Sequence, residues 1–296
     1  MNDGTPPAGT GWFDGVDPED VEAAADAITD GNAESPRDWP ALAVESGFAE
    51  SEEAYYDALH EATLHAARRE VREREGADDR QLVHAVRAMD DVERVANELA
   101  ERVAEWGGTR DADAGTGVEY ARTLADREAD DPAGAALRGL AERVADLDEE
   151  SQSLRAYVER TAPEVAPNLS MLAGPVLAAR LVALAGGLKP LARKPSGTVQ
   201  VLGAEDALFA HLRGRAPSPK HGVIYVHEYV SGIDPAERGS AARALAGKLS
   251  IAARVDHYSG DLRPELQAEL DERIERIRAR TRDGDGESGG DGGTGQ

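Results

Sequence analysis

Two heptad patterns constrain the fold of this chain more than any other feature of its sequence. In the first pattern, apolar residues recur every seven positions in two rows: Leu82, Met89, Ala96 and Val103, and Ala85, Val92, Leu99 and Trp106. Charged residues such as Arg87, Asp90 and Glu101 occupy most of the positions between them. An apolar repeat averaging 3.5 residues is typical of a helix packed in a coiled coil.

A second pattern follows after Gly107-Gly108 and a polar loop. Its two rows are Leu137, Val144, Ser151 and Val158, and Leu140, Leu147 and Leu154. Two heptad helices joined by a loop predict an antiparallel hairpin. Together with a helix expected over Ser51 to Glu75, it forms a predicted coiled-coil region over residues 51–160.

The same rows predict how the hairpin is used. One helix is expected to face the other through Leu82, Met89, Val92, Leu99 and Val103 on one side, and Leu137, Leu140, Val144, Leu147 and Leu154 on the other. A two-helix arm buries little surface, and Val86 and Val95 are expected to stay exposed as apolar flanks. Pairing with a second copy would cover these flanks, so the pattern predicts a homodimer through residues 82–158.

Residues 161–262 have a different pattern. Proline and glycine interrupt short apolar stretches, which indicates a compact domain of several short helices. Val223–Val226 is expected to be extended or the start of a helix, and helices are predicted over Pro235–Tyr258 and Pro264–Arg280, the latter a terminal helix within residues 263–280. The predicted fold class is all-α: an antiparallel coiled-coil hairpin followed by a compact helical domain.

The two ends of the chain have weaker patterns. Residues 1–50 are rich in Gly, Pro, Asp and Ala and are expected to form a short acidic arm that is weakly packed or partly disordered. One helix is predicted there, from Asp17 to Ile28, with Asp17 at its cap and Pro18 in its first turn. Residues 281–296 are acidic and glycine-rich, and a disordered tail is expected.

Charge is distributed unevenly along the chain. Arginine and lysine total 33 against 57 acidic residues, a net charge of −24, and only four of the basic residues are lysines. Residues 1–160 carry a net charge of −24, whereas residues 161–257 carry +4 and all four lysines. Such acidity suits a cytosol at molar salt, as in an extreme halophile. A segment kept positive in so acidic a chain favours contact with a polyanion such as nucleic acid.

Several classes of protein are disfavoured. The first residues lack the basic flank and apolar run of a signal peptide, and there is no cysteine for disulfides or thiolate chemistry. The apolar stretch from Leu172 to Leu188 is interrupted by Arg180, which predicts a buried core helix with Arg180 in an ion pair rather than a membrane span. A cytoplasmic protein is expected.

No motif predicts catalysis or a metal site. His60 and His65 are five residues apart, which turns them away from each other on a helix, and solvated histidines are the better interpretation. His221 and His227 lack further ligands at metal spacing. The sequence contains neither a phosphate-binding glycine loop nor a nucleophile elbow nor a dinucleotide fingerprint, so no catalytic residue, metal or cofactor is predicted.

A series of segments over residues 166–257 resembles the Nop domain of the archaeal box C/D ribonucleoprotein scaffold, which eukaryotic nucleolar proteins share. The segments are Ala166–Ser170, Leu172–Pro175, Ala179–Leu181, Ala185–Leu188, Val199–Glu205, Ala207–Phe209, Pro219–Ile224, Ala242–Leu249 and Ile251–Arg254. The preceding heptad helix, with Val86–Asp91 and Leu99–Trp106, also resembles the hairpin of that family.

The resemblance implies a scaffold in RNA-guided 2′-O-methylation. In the family, the Nop domain binds a kink-turn guide RNA that already carries a small ribosomal-protein-like partner. The coiled coil forms a homodimer and the N-terminal domain holds fibrillarin. S-adenosylmethionine is then bound by fibrillarin, and this chain is not an enzyme.

Three features depart from the family pattern. Asp206 stands where the family usually has a basic residue, residues 1–50 are much shorter than the family's N-terminal domain, and the acidic tail replaces a basic one. They bear on one expected phosphate contact and on fibrillarin docking.

Candidate RNA ligands follow from the basic residues of this domain. Lys220 and His221 lie in a loop stiffened by Pro217 and Pro219, which suits contact with phosphate and base. The other predicted RNA-binding residues are Arg213, Arg215, Gln200 and Asn168, and RNA or partner contact is predicted for Arg243, Lys248 and Arg254. The alternative from another class is a coiled-coil protein-interaction module without direct RNA contact.

Overall fold

The computed structural model describes residues 11–33 and 35–287, with side chains up to residue 280, and all regular structure in this part of the chain is helical. The all-α class is therefore confirmed. Contacts divide the chain into two units, Met1–Ala77 and Asp78–Gln296.

The first unit contains three helices: α1 (Val21–Asp30), α2 (Trp39–Glu45) and α3 (Glu52–Gly76). Each begins at a side-chain cap, provided by Asp20, Asp38 and Ser51, because an oxygen there accepts a bond from an otherwise unpaired helix N–H group. Both shorter helices pack against α3. An aromatic cluster of Trp12, Phe13, Phe48 and Tyr55 fills the centre.

Two sequence predictions for this unit were wrong. Part of the segment before Ser51 is packed, since Phe13, Ala43 and Phe48 form a core with Tyr55 of α3, and α3 belongs to this unit rather than to the coiled-coil region. The first helix starts at Val21 and not near Asp17. Asp17 instead closes a turn, in which its carboxylate accepts from the backbone N–H of Glu19 and its carbonyl from that of Asp20.

The second unit begins with a helical hairpin. Its helices are α4 (Asp78–Gly108) and α6 (Pro132–Val165), with the short α5 (Gly117–Ala125) packed against both. Leu82 shares a core with Val158, and Val103 shares another with Leu137, so the two long helices run antiparallel.

The hairpin seam is shifted by one position from the predicted seam in one of its two rows. The rows that contain Leu82 and Leu137 are buried as predicted. The other buried row follows Val86, Ala100 and Gly107 on α4, and Ala141 and Ala162 on α6. Apart from Val86, this row has small side chains, which let the two helices approach closely. The bulkier residues at the predicted positions lie beside the seam and are half-buried, namely Val92, Leu99, Leu140, Leu147 and Leu154, and so is Val95, which was expected to be an exposed flank.

A compact bundle of short helices follows: α7 (Pro167–Ala173), α8 (Pro175–Ala185), α9 (Leu188–Ala192), α10 (Ser196–Val201), α11 (Glu205–Leu212), a 3-10 turn (Val223–Val226), α12 (Glu228–Ser231), α13 (Arg238–Tyr258) and α14 (Glu265–Glu287). The base of the hairpin is part of its core, since Leu82, Val86 and Val158 pack with Leu181 and Leu245. The segment Val223–Val226, for which two conformations were open, is a helical turn.

An ion pair ties α8 to the hairpin. Arg180 donates from Nη2 to Asp90 Oδ1 at 2.6 Å and from Nε to both carboxylate oxygens at 3.1 Å. The predicted ion pair of Arg180 is therefore present. Arg87 adds a bond from Nη2 to the carbonyl of Ala183 at 3.1 Å.

The bounds of the last two helices differ from the predicted ones. A turn over residues 234–237 precedes α13, so this helix starts three residues after the predicted Pro235. Helix α14 continues to Glu287, into the segment predicted as a disordered tail, and residues 288–296 lie outside the described part. Among the described helices, none is by itself long and apolar enough to cross a membrane; α7 and α8 pass that test only as a pair bent by 118°.

Candidate RNA interface

The loop of residues 217–222 is fixed at its exit to the end of α10. Gly222 donates to the carbonyl of Gln200 at 2.9 Å, and Val223 donates to that of Leu202 at 2.7 Å. A Cβ atom on Gly222 would lie 2.0 Å from the carbonyl oxygen of Leu202, so only glycine fits at this position. The backbone around Lys220 and His221 is consequently held in one place.

Three flat groups lie together beside this loop. The ring of His221 stacks on that of Tyr225, with centroids 4.6 Å apart and an interplanar angle of 23°. The guanidinium carbon of Arg238, at the start of α13, lies 5.6 Å from the centroid of the same Tyr225 ring. Tyr225 remains 38% exposed. Such a platform suits stacking on an unpaired RNA base.

The surroundings of His221 favour the neutral form of its ring. Burial lowers the pKa of His221, and the positive charges of Arg238 and Lys220 lower it further. A neutral imidazole keeps one nitrogen as an acceptor, so it can accept as well as donate a hydrogen bond.

Two polar atoms next to the platform are buried without a hydrogen-bond partner among the described residues, namely Nε of Arg238 and Oε2 of Glu237. Buried polar groups are usually paired in folded proteins. The Nε donor of Arg238 is thus still unused beside the ring stack.

The predicted phosphate ligands are accessible. Lys220, Arg213 and Arg215 are exposed, and none of them forms an ion pair with another described side chain. Exposed apolar residues accompany the two arginines at the end of α11, with Phe209 55% and Leu212 71% exposed. Contact of these cations with RNA stays a prediction.

Gln200 has a supporting position. Its Nε2 donates to the carbonyl oxygen of Lys220 at 2.7 Å, so this amide holds the loop and has one donor fewer for a ligand.

Asn168 does not fit its predicted role, because it is fully buried. Its Nδ2 donates to Asp256 Oδ1 at 2.6 Å and to the carbonyl of Asp261 at 2.9 Å, and its Oδ1 accepts from the backbone of Arg263 at 2.7 Å. Both polar atoms are used inside the domain, so Asn168 is a structural residue and the assignment to RNA was wrong.

The three residues predicted to contact RNA or a partner are separated by the structure. Arg243 is exposed, and Lys248 pairs with Glu269 of α14. Arg243 and Lys248 line a groove between α13 and α14. Arg254 instead donates from Nε to the carbonyl of Ala192, at the end of α9, at 3.2 Å.

Other features of the sequence have plain outcomes. Asp206 is exposed in the first turn of α11, where a carboxylate is favourable to the helix but offers nothing to phosphate. Within the described residues, no group of three His, Asp or Glu side chains is placed to hold a metal ion. Sequence reasoning missed Tyr225 and Arg238; the signal for Tyr225 was an aromatic ring four residues after His221.

Comparisons with known proteins identify the family of this chain. Residues 77–277 match the Nop family, whose description reads "snoRNA binding domain, fibrillarin". A NOP5 family protein of Methanocaldococcus jannaschii is 50% identical over 138 residues, which cover 47% of this chain and 33% of that protein. Human nucleolar protein 56 is 42% identical over 123 residues, 42% of this chain and 21% of that protein. The chain thus spans a third or less of the length of these relatives.

A solved structure shares the fold. A chain in the crystal structure of a fibrillarin/Nop5p complex superposes with a TM-score of 0.51 and 24% identity, covering 86% of this chain and 92% of that one. The family match covers well over half of the sequence, including the hairpin and the loop that carries Lys220 and His221. The chain therefore belongs to the Nop family of proteins with a snoRNA-binding domain.

Proposed function

We propose that this chain is the non-catalytic RNA-binding scaffold of an archaeal box C/D ribonucleoprotein. It would join a kink-turn guide RNA, loaded with its small ribosomal-protein-like partner, to fibrillarin for 2′-O-methylation of ribosomal or transfer RNA. Fibrillarin would bind S-adenosylmethionine. The acidic, lysine-poor composition supports work in a cytosol at molar salt.

The observation that carries the proposal is the platform of His221, Tyr225 and Arg238 beside Lys220. It combines flat rings, a cation and an anchored backbone in the segment with a net charge of +4, within a chain whose net charge is −24. Stacking and hydrogen bonds are less sensitive to salt than bare phosphate attraction, which is largely lost at high salt. The platform therefore suits RNA binding under those conditions.

Two further parts of the proposal concern protein partners. The first unit, with α3 as its long helix, would hold fibrillarin, although the described residues before α3 form only a small aromatic core. The half-buried row beside the hairpin seam would form the homodimer interface. Both parts rest on the family resemblance and on the available surface.

Reconstitution tests the function. The purified chain, the small ribosomal-protein-like partner, fibrillarin and a guide RNA would be combined with labelled S-adenosylmethionine and a complementary target RNA. We expect methyl transfer only in the complete mixture, and none from this chain alone. Methylation by the isolated chain, or unchanged methylation when this chain is left out, would refute the scaffold role.

A further inference from the structure

A groove between α13 and α14 is lined by positive charges, although the chain as a whole is acidic. Its volume is about 430 Å³, and its lining includes Arg243, Lys248, Arg273, Arg280 and the hydroxyl-bearing Ser240. Among the residues whose side chains the structure describes, no carboxylate belongs to that lining, in a chain with 57 acidic residues. Glu269 of α14 pairs with Lys248, which is the only cation of the lining in an ion pair with a described side chain.

The arginines of the groove are available to a ligand. Arg243, Arg273 and Arg280 are exposed, and none forms an ion pair with any side chain that the structure describes. Elsewhere the acidic chain pairs its arginines readily, as Arg94 does with Asp91 and Glu98. An arginine guanidinium presents a planar set of donors that matches phosphate oxygens in pairs.

The groove also continues from the candidate RNA interface. Gly239, in the first turn of α13, lies against the stem of Lys220, because a Cβ atom there would be 3.9 Å from Lys220 Cδ. Arg238 of the same turn faces the Tyr225 ring. From Ser240 to Lys248 the groove follows α13 for about 12 Å at 1.5 Å per residue. That length exceeds the roughly 3.4 Å between successive charges of one strand along a duplex axis.

We infer that this groove binds the phosphate backbone of the same RNA whose kinked part contacts the loop, at nucleotides beyond the kink. The inference rests on the proposed function and extends it, since it assigns Arg243, Arg273 and Arg280 to backbone contacts. Backbone contacts position an RNA without reading its sequence. The groove therefore sets the direction in which the RNA leaves the Nop domain.

The test uses the full chain and two kink-turn RNAs, both loaded with the small ribosomal-protein-like partner. In the short probe the stem ends beside the kink, and in the long probe it extends by a further helical turn. Affinity is measured over a series of potassium chloride concentrations at which circular dichroism shows folded protein. The variant is Arg243→Ala with Arg273→Ala, and the control, Arg72→Ala with Arg74→Ala, removes the same charge from the first unit.

We expect the groove variant to bind the long probe more weakly than its control. The slope of log affinity against log salt should fall by about two, one for each lost phosphate contact. The short probe should be unaffected, while Lys220→Ala with His221→Ala weakens binding of both probes.

Equal binding of the long probe by the groove variant and its control would overturn the inference and leave the proposed function intact. Failure of the wild-type chain to bind either probe would overturn both. If the groove variant binds both RNAs normally but no longer retains the small partner in the absence of RNA, the groove takes an acidic protein surface and the RNA assignment is wrong.

Discussion

Asn168 and His221 show what decides the role of a polar residue in this domain. Both lie in segments that resemble the Nop family, and the sequence predicted RNA contact for both. The structure buries Asn168 completely and leaves His221 at an accessible ring stack. The difference depends on partners that are distant in sequence. Asn168 donates a hydrogen bond to Asp256, whereas the positive charge of Arg238 lowers the pKa of His221.

Asn168→Ala should lower the free energy of unfolding without changing the candidate RNA interface. It removes one donor from Asp256 and leaves the N–H of Arg263 without its acceptor, which commonly costs about 1–3 kcal/mol of unfolding free energy. Chemical denaturation measures this loss, and Asn97→Ala, at an exposed position, is the control. Weaker RNA binding by folded Asn168→Ala with an unchanged unfolding midpoint would restore the original assignment.

The pKa of His221 gives a second prediction. NMR titration should place it below the ordinary value of about 6.5, because burial and the charges of Arg238 and Lys220 oppose protonation. Lys220→Ala removes one of those charges and should raise the pKa, whereas Lys189→Ala should not. An ordinary pKa in the wild type, or no rise in Lys220→Ala, would contradict the electrostatic setting described for the platform.

The lowered pKa of His221 makes the stability of the fold depend on pH. With a folded-state pKa below the unfolded value, the unfolded chain binds more protons between the two values. The contribution of His221 to the free energy of unfolding is therefore fully present above the unfolded-state pKa. It is lost as the pH falls through the folded-state pKa.

At the scale of elements, the heptads predicted the hairpin but not its full register. Sevenfold spacing identifies two helices that pack along a seam, and the rows that contain Leu82 and Leu137 are buried as expected. Hydrophobicity alone then favoured leucine and valine for the second row. Close approach of the helices selected alanine and glycine instead, and Gly107 leaves room for the hydroxyl of Tyr120 on α5, which a Cβ atom would meet at 2.3 Å.

The shifted register defines a candidate dimer face. Val92, Val95 and Leu99 on α4 precede seam positions by one residue, as do Leu140 and Leu147 on α6. In an antiparallel pair, residues that precede the seam on either helix lie on the same side of the hairpin. These residues are half-buried within one chain, so a second copy could cover them.

Val95→Glu with Leu147→Glu should convert a dimer into a monomer that keeps its helix content, because charges at a packed apolar face prevent its burial. Light scattering and circular dichroism measure the two properties. Asn97→Glu with Gln152→Glu, at exposed positions on α4 and α6, adds the same charge and is expected to leave the dimer intact.

A wild-type chain that is monomeric at micromolar concentration would contradict this face, as would a doubly substituted chain that remains dimeric. Val86, which the sequence placed on an exposed flank, is unsuitable for this test. It is 1% exposed in the core shared with α8, so a charge there would unfold the domain.

At the scale of the whole molecule, the sequence predicted the order of regions, and the structure places α3 in the first unit rather than with the hairpin. The change from heptads to Pro- and Gly-rich segments separated the hairpin from the compact domain, and the uneven charge pointed to the latter as the site of polyanion contact. The helix α3 was assigned to the hairpin region because helical patterns adjoin across Gly76. Its packing with Phe48 and other aromatic residues depends on long-range contacts that periodicity does not encode.

The candidate RNA interface was predicted only in part, because it also depends on contacts between residues that are distant in sequence. The loop of Lys220 and His221 stood out because two prolines and two polar groups are consecutive in sequence. Tyr225 and Arg238 join it only through folding, since Arg238 comes from the next long helix. The groove between α13 and α14 has the same origin, with Arg243 and Arg273 brought together by two helices.

The affinity of the full chain for kink-turn RNA loaded with the small ribosomal-protein-like partner tests the central claim most directly. We expect Lys220→Ala with His221→Ala to weaken binding by about 1–3 kcal/mol at matched salt, where each 1.4 kcal/mol is a tenfold change in affinity. Lys189→Ala with His60→Ala, which removes the same groups elsewhere, should bind like the wild type. Unchanged affinity in the loop variant, with an intact circular-dichroism spectrum, would contradict the account.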